Sequence, residues 1–183
     1  MRPTMPLPIR NGYATPQTVG PDRLAAACAA HFLARQFNGG KPASALVIDA
    51  GTAITYDLVD AAGTFLGGNI SPGVNLRFQA LHEHTAHLPL VSPTAQEIAN
   101  VPEGIGNTTR SAIVKGVLWG VHMEMETFIR QTIVKYPDLF VFLTGGTPFN
   151  LAETAKNRTF VADFLVPKGL DVILRYSQQV NAH

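Results

Sequence analysis

The stretch that most constrains this chain is Leu46-Val47-Ile48-Asp49-Ala50-Gly51-Thr52-Ala53-Ile54-Thr55-Tyr56-Asp57. Ala45–Ile48 is a short β-branched run that reads as a buried strand, and it breaks off at a carboxylate followed by a glycine. Ile54–Val59 is strand-like, Asp60–Gly63 reads as a turn, and Thr64–Leu66 as a return strand ending at Gly67-Gly68. A strand that runs straight into a meander demands a sheet.

The flanking sequence supplies the helices. Residues 1–21 carry Pro3, Pro6, Pro8, Pro16 and Pro21, which forbid a regular helix and leave an extended, turn-rich lead-in. Asp22 stands before an alanine-rich helical run with Leu24, Phe32, Leu33 and Phe37, stopped by Asn38-Gly39-Gly40. After Pro72-Gly73, the spacing of Val74, Phe78 and Leu81 predicts a helix. Residues 88–107 hold Pro89, Pro93, Pro102, Gly104 and Gly106 and read as a loop with one short turn. A long helix is expected from Thr109 to Lys135, with Ile113, Val117, Val121, Met125, Phe128 and Ile129 on one side. Leu139–Leu143 is a second buried strand, ending in Thr144-Gly145-Gly146. A helix near Phe149, a strand at 160–166 and a last helix marked by Leu170, Ile173 and Leu174 complete an α/β chain.

Composition removes several function classes. A length of 183 residues suits one domain or two small lobes. With 46% hydrophobic and 15% charged residues, the chain is too apolar for intrinsic disorder. Lysine plus arginine number 14 against 13 acidic residues, a net charge of +1 scattered along the chain, which argues against nucleic acid as a partner. No apolar run approaches the roughly 18 residues that span a bilayer, and the proline-rich N-terminus lacks the core of a signal peptide. The expectation is a soluble, cytoplasmic protein without a membrane partner. Cys28, the one cysteine, excludes an internal disulfide and reads as a small buried residue within its alanine run.

Chemistry concentrates at Asp49-Ala50-Gly51-Thr52. Thr52 and Thr55 offer hydroxyls, Gly51 permits a tight turn, and backbone N–H groups of such a turn can face an anion. A phosphate fits there, and Asp49 can hold a metal ion or its water beside it. Taken bare, Asp-x-Gly-Thr is a weak signal that an ordinary hairpin turn would also give, but with a strand before it and a meander after it the phosphate reading is favoured. Asp22 has a bland alternative as a helix N-cap, with Arg23 a surface charge. The imidazoles of His82, His84 and His87 do not share one helical face, and read as a solvated helix end rather than a zinc site. Gly116 and Gly120 in one helix imply close packing, inside the chain or across a dimer, with Trp119, Met123 and Met125 as core or interface residues.

The strand, turn and hairpin at 46–66 resemble the second phosphate loop of the actin, sugar-kinase and heat-shock ATPase superfamily, whose ribonuclease-H-like lobes bind nucleotide between them. The whole chain resembles the type III pantothenate kinase family. Leu7–Tyr13 with Gly20-Pro21-Asp22-Arg23 is similar to its pantothenate-binding stretch, and Asp49–Thr55 to its second phosphate motif. Gly67-Gly68-Asn69-Ile70-Ser71-Pro72-Gly73 matches the turn that follows. Thr109–Ile113 with Gly116 resembles the start of its interface helix, and Phe142–Gly146 its nucleotide-side glycine pair.

The resemblance implies an α/β fold of actin-like lobes, with residues 1–45 the rear part of a truncated first lobe and 46–183 the second. The family's first phosphate loop, Asp-x-Gly-Asn-Thr, has no match in the chain. The implied activity is ATP-dependent phosphorylation of pantothenate. Asp22 would accept the proton of the primary hydroxyl, and Tyr13, Gly20, Pro21, Arg23 and Thr109 would contact pantothenate, Thr109 in the partner's pocket of a homodimer. Gly51, Thr52, Thr55, Gly145 and Gly146 would meet ATP with its Mg²⁺, and Asp49 would hold K⁺ or NH₄⁺. A catalytically impaired binding module accessory to transcription is the alternative, and another actin-like kinase or phosphatase a looser third.

Overall fold

The computed structural model describes residues 5–147 and 158–182. Its sheet is built outward from the expected meander. β2 (Ala45–Ala50) pairs antiparallel with β3 (Ala53–Val59), and β3 antiparallel with β4 (Thr64–Pro72). β5 (Phe140–Thr144) runs parallel to β2, and β6 (Thr159–Val161) parallel to β5. The two-residue β1 (Arg10–Asn11) adds parallel to β4, so the six strands of the described residues lie in the order β1-β4-β3-β2-β5-β6.

Both faces are covered, because side chains alternate across a strand. Leu46, Ile48, Ile54 and Tyr56 point to one face, where α2 (Val74–Glu83) and α4 (Thr109–Lys135) supply Phe78, Val117, Leu118, Val121 and Met125. Ala45, Val47 and Phe142 point to the other, against Ala26, Ala29, Ala30 and Leu33 of α1 (Pro21–Phe37). The last helix, α5 (Leu165–Asn181), lies against α1. Gly169 makes that approach possible, since a Cβ there would stand 1.8 Å from the Ala25 carbonyl oxygen.

The long helix follows its apolar stripe from Thr109 to Lys135, with Thr108 and Ser111 forming a reciprocal cap. Elsewhere the chain departs from its expected boundaries for local reasons. α1 begins two residues earlier than an Asp22 N-cap would start it, because Pro21 with its fixed φ suits the first helical position, which makes Gly20 the N-cap and puts Asp22 inside the first turn. The return strand does not end at Gly67-Gly68 but continues to Pro72. Gly68 packs against β3 so closely that a Cβ would collide with the Tyr56 carbonyl oxygen. The loop at 88–107 contains a short helix, α3 (Ala95–Ala99), held by a capping box between Thr94 and Glu97. The strand expected at 160–166 is only Thr159–Val161, because α5 starts at Leu165 after Phe164 turns the chain through φ 61°. The helix expected near Phe149 lies outside the described residues.

Candidate functional site

The register of β2 with β3 sets the polar face of the site. Asp49 lies opposite Thr55 and Val47 opposite Asp57, so Asp49, Thr55 and Asp57 share the face that α1 covers. The N-terminus of α1 brings Asp22 and Arg23 over that face, and these residues line a cavity of about 230 Å³ with Gly51 and Thr52. Six of the expected site residues are therefore gathered into one pocket at the carboxyl end of β2, a common ligand position in open α/β sheets.

Charge inside this pocket is unevenly distributed. Arg23 is gripped by Asp57, with Nε donating to Oδ1 at 3.0 Å and Oδ2 at 3.1 Å, and Nη2 to Oδ1 at 2.5 Å. Asp57 is 1% exposed, and a carboxylate that deep requires such a partner. The Asp57 hydrogen bond also raises the Arg23 pKa above its ordinary value, and the Tyr13 hydroxyl adds to it. Asp49 goes the other way: burial, then the negative charges of Asp22 and Asp57, push its carboxyl pKa up. A cation beside Asp49 would relieve that repulsion, so the donor set fits one. Among the described residues no three His, Cys, Asp or Glu side chains converge to chelate a metal ion, so a cation here would need water or substrate oxygens as well.

The turn itself is braced from behind. Gly51 N–H donates to the Ala53 carbonyl at 3.1 Å, which closes the turn and commits one of its backbone N–H groups within the chain. Gly73 N–H donates to the Thr52 carbonyl at 2.9 Å, and a Cβ on Gly73 would stand 2.2 Å from the Gly51 carbonyl oxygen. The stretch Gly67–Gly73 thus supports the turn mechanically. Gly20 has a related role, because a Cβ there would fall 2.4 Å from Asp22 Oδ1.

The remaining expected residues lie elsewhere. Gly145 and Gly146 border a separate cavity of about 240 Å³ on the opposite face of β2, with Ile48, Ala50, Met125 and Asp163. Gly145 has φ +98° and passes so close to Ala50 that a Cβ would meet its backbone at 2.6 Å, which explains a glycine at this position. Tyr13 lies beside Phe65 in a tilted arrangement, 6.1 Å between centroids, and its ring lies 6.0 Å from the Arg23 guanidinium carbon. It also opens onto a third cavity, of about 540 Å³, with Tyr56, Ser71 and Glu124. Thr109 is not in the Asp22–Asp49 pocket: it lines a groove of about 1210 Å³ between α2 and α4, with Arg77, Leu81, Leu88 and Gly116.

Two features escaped the sequence. Asp57 is the first, although an aspartate inside an apolar strand is itself a signal that a partner must exist. The second is Glu124 on α4, which accepts from Tyr56 Oη at 2.8 Å, Ser71 Oγ at 2.5 Å and Arg77 Nη2 at 2.6 Å. Burial alone would raise its pKa, but hydrogen bonds from Ser71, Arg77 and Tyr56 bring it below the ordinary value. Cys28 is buried as expected, and burial pushes its thiol up to about 12. His82 closes the end of α2 through a 2.8 Å contact of Nδ1 with the Leu88 carbonyl. No helix among the described residues is long and apolar enough to cross a membrane.

A family model described as type III pantothenate kinase matches residues 1–131. The chain is 46% identical over 176 residues to a type III pantothenate kinase of Phocaeicola vulgatus, covering 96% of this chain and 68% of that protein. The same family name is carried by a Bacteroides fragilis protein, 46% identical over 172 residues (94% of this chain, 66% of that one). A Porphyromonas gingivalis relative is 42% identical over 172 residues, with 94% and 67% covered. The chain thus spans about two thirds of the length of these curated relatives. A solved chain from Campylobacter jejuni, assigned there to the Baf family of transcriptional activators, superposes with a TM-score of 0.60 at 19% identity. That match covers 93% of this chain and 69% of the other, and it bears out the expected α/β, actin-like fold class.

Proposed function

The chain belongs to the type III pantothenate kinase family, and from that premise we propose that it transfers the γ-phosphoryl group of ATP to pantothenate. The product is 4′-phosphopantothenate, which begins coenzyme A synthesis in the cytoplasm. The observation that carries this reading is the meeting of Asp22 and Arg23, from the start of α1, with the Asp49–Thr52 turn in one pocket. One carboxylate there can serve the substrate hydroxyl, while the turn lies where phosphates would approach.

In this reading Asp22 takes the proton as the primary hydroxyl oxygen of pantothenate bonds to the γ-phosphorus and the bond to the ADP oxygen breaks. Arg23, with Tyr13, Gly20 and Pro21, orients pantothenate. Thr52 and Thr55 touch ATP phosphates from one face of β2, and Gly145 and Gly146 meet the nucleotide from the other. Asp49 is assigned K⁺ or NH₄⁺, Mg²⁺ comes with ATP, and together they set positive charge against the phosphates. The exposed groove that holds Thr109 supports a homodimer in which Thr109 reaches the partner's pantothenate. Residues 1–45 are assigned to the first lobe and 46–183 to the second.

The test is a coupled ADP-release assay with pantothenate, Mg-ATP and K⁺, run on the chain and on Asp22→Asn. Pantothenate-dependent ADP release that Asp22→Asn abolishes is the expected result. Wild-type turnover by Asp22→Asn would remove the proton acceptor from the scheme. Pantothenate binding without any turnover would favour the binding module.

A further inference from the structure

Three carboxylates and one guanidinium line the Asp22–Asp49 cavity. Left to itself, the arginine would pair with whichever carboxylate it could reach, including the one assigned to the chemistry. The fold prevents this through geometry. Asp57 takes the side-on edge of Arg23, the edge formed by Nε and Nη2. A guanidinium has five N–H donors in a rigid plane, so an arginine held by one edge presents the rest in a fixed direction. The end-on fork, Nη1 with the outer N–H of Nη2, is not engaged by Asp57. The Arg23 side chain is only 11% exposed, and Tyr13 flanks the guanidinium with its hydroxyl as a second, weaker partner beside Asp57.

Asp57 is well placed to be the fixed end of this arrangement. It sits in the middle of β3, between β2 and β4, paired in register with Val47 on one side and Gly68 on the other. Gly68 carries no side chain opposite Asp57, and Arg23 from α1 closes on the Asp57 carboxylate. We propose that Asp57 is a positioning residue: it grips Arg23 by one edge, presents the end-on fork to an anionic substrate in the cavity, and keeps the guanidinium away from Asp22. The inference rests on the pantothenate reading for the identity of that anion, and on the structure alone for the grip.

Two measurements on the 183-residue chain separate these layers. The first is the NMR signal of the Arg23 Nε–H, which should be sharp and slow to exchange in the wild type and lost in Asp57→Asn. The second is calorimetric titration with pantothenate of the wild type, Asp57→Asn, Arg23→Gln and the double variant. Asp57→Asn and Arg23→Gln should each weaken pantothenate by roughly 10- to 100-fold, the range expected for one charge-assisted contact. The double variant should bind no worse than Arg23→Gln alone, because Asp57 acts only through Arg23. Asp57→Glu keeps the charge but displaces the fork, and should still lose affinity; circular dichroism of each variant establishes that it is folded at the titration temperature, since a larger side chain at this buried position costs some stability.

Additive losses in the double variant, or wild-type affinity in Asp57→Asn, would overturn the positioning role. So would an Arg23 Nε–H signal that survives Asp57→Asn unchanged. A wild type that shows the protected Nε–H but does not bind pantothenate would overturn the functional reading and the substrate-facing half of the inference, leaving only the grip.

Discussion

The contact between α1 and α5 makes a prediction whose sign is opposite to intuition. Glycine inside a helix costs about 1 kcal/mol relative to alanine, so Gly→Ala in a helix ordinarily stabilises. At Gly169 the new methyl would stand 1.8 Å from the Ala25 carbonyl oxygen and 2.3 Å from its carbon. Both atoms are backbone of a fully buried turn of α1, so no side chain can swing aside. Reaching ordinary van der Waals separation requires the helices to part by about 1.5 Å. The α1 face is lined by alanines, which have nothing to extend into the opened space. Overpacking of this kind costs about 1–3 kcal/mol, and contact with rigid backbone puts this site at the upper end. Net destabilisation is then about 2 kcal/mol, or a fall of roughly 4–8 °C in melting temperature for a chain of this size. Gly116→Ala and Gly120→Ala are the internal controls, since a Cβ at either meets nothing within 4 Å. Each should raise melting by roughly 1–4 °C. Circular dichroism melts at a concentration where sedimentation shows a monomer would measure all three. A Gly169→Ala chain that melts at or above the wild type would refute the helix contact, and a fall at Gly116 or Gly120 would refute the open face.

Three other outcomes follow from the same structure. Glu97 is held at about 2, chiefly by its hydrogen bond from Arg110 and then by the Thr94 backbone, against an ordinary 4.5. Its contribution is complete above the ordinary value and is lost as pH falls from there towards about 2; urea midpoints of Glu97→Gln should therefore fall less steeply over that window, and parallel curves would contradict the assignment. Cys28 should resist thiol reagents at about pH 8 in the native chain and react fully in concentrated urea, because only the unfolded chain offers an accessible thiolate. Native labelling at the unfolded rate would show the alanine helix to be open. Gly73→Ala should weaken ATP by about tenfold or more by displacing the Gly51–Thr52 turn through its carbonyl contacts. Unchanged ATP affinity in equilibrium titration would detach that turn from nucleotide binding.

What could be read in the sequence was whatever a local pattern encodes. The stripe from Ile113 to Ile129 fixed the long helix to its observed ends, and the apolar runs at 45–48 and 139–143 marked β2 and β5, which pair in parallel. Two of the failures share a cause, which is that the deciding partner is distant. Gly68 looks like a terminator, yet it continues a strand because β3 lies against it. Asp57 finds its arginine 34 residues earlier in the chain, and no spacing rule announces that pair. The short helix α3 was hidden by surrounding prolines, although Thr94 and Glu97 carried its capping box in plain sight. Within the site, Asp22, Arg23, Asp49, Thr52 and Thr55 converge as their motifs imply, whereas Thr109 stands apart in the α2–α4 groove.

Strand β2 carries one consequence further. Its odd-numbered residues Val47 and Asp49 wall the cavity beneath α1, and its even-numbered residues Ile48 and Ala50 wall the cavity beside Gly145. The two compartments are back to back, with a single strand as the partition. Ala50 is also tied to the glycine loop, through the Thr147 N–H to its carbonyl at 3.2 Å. A guest that shifts this partition from one side changes the shape offered on the other. Thermodynamic reciprocity then requires equal influence in both directions, so whatever factor the first guest imposes on the second must be returned. Cooperativity between two ligands would here need no moving domain, only the thickness of one strand.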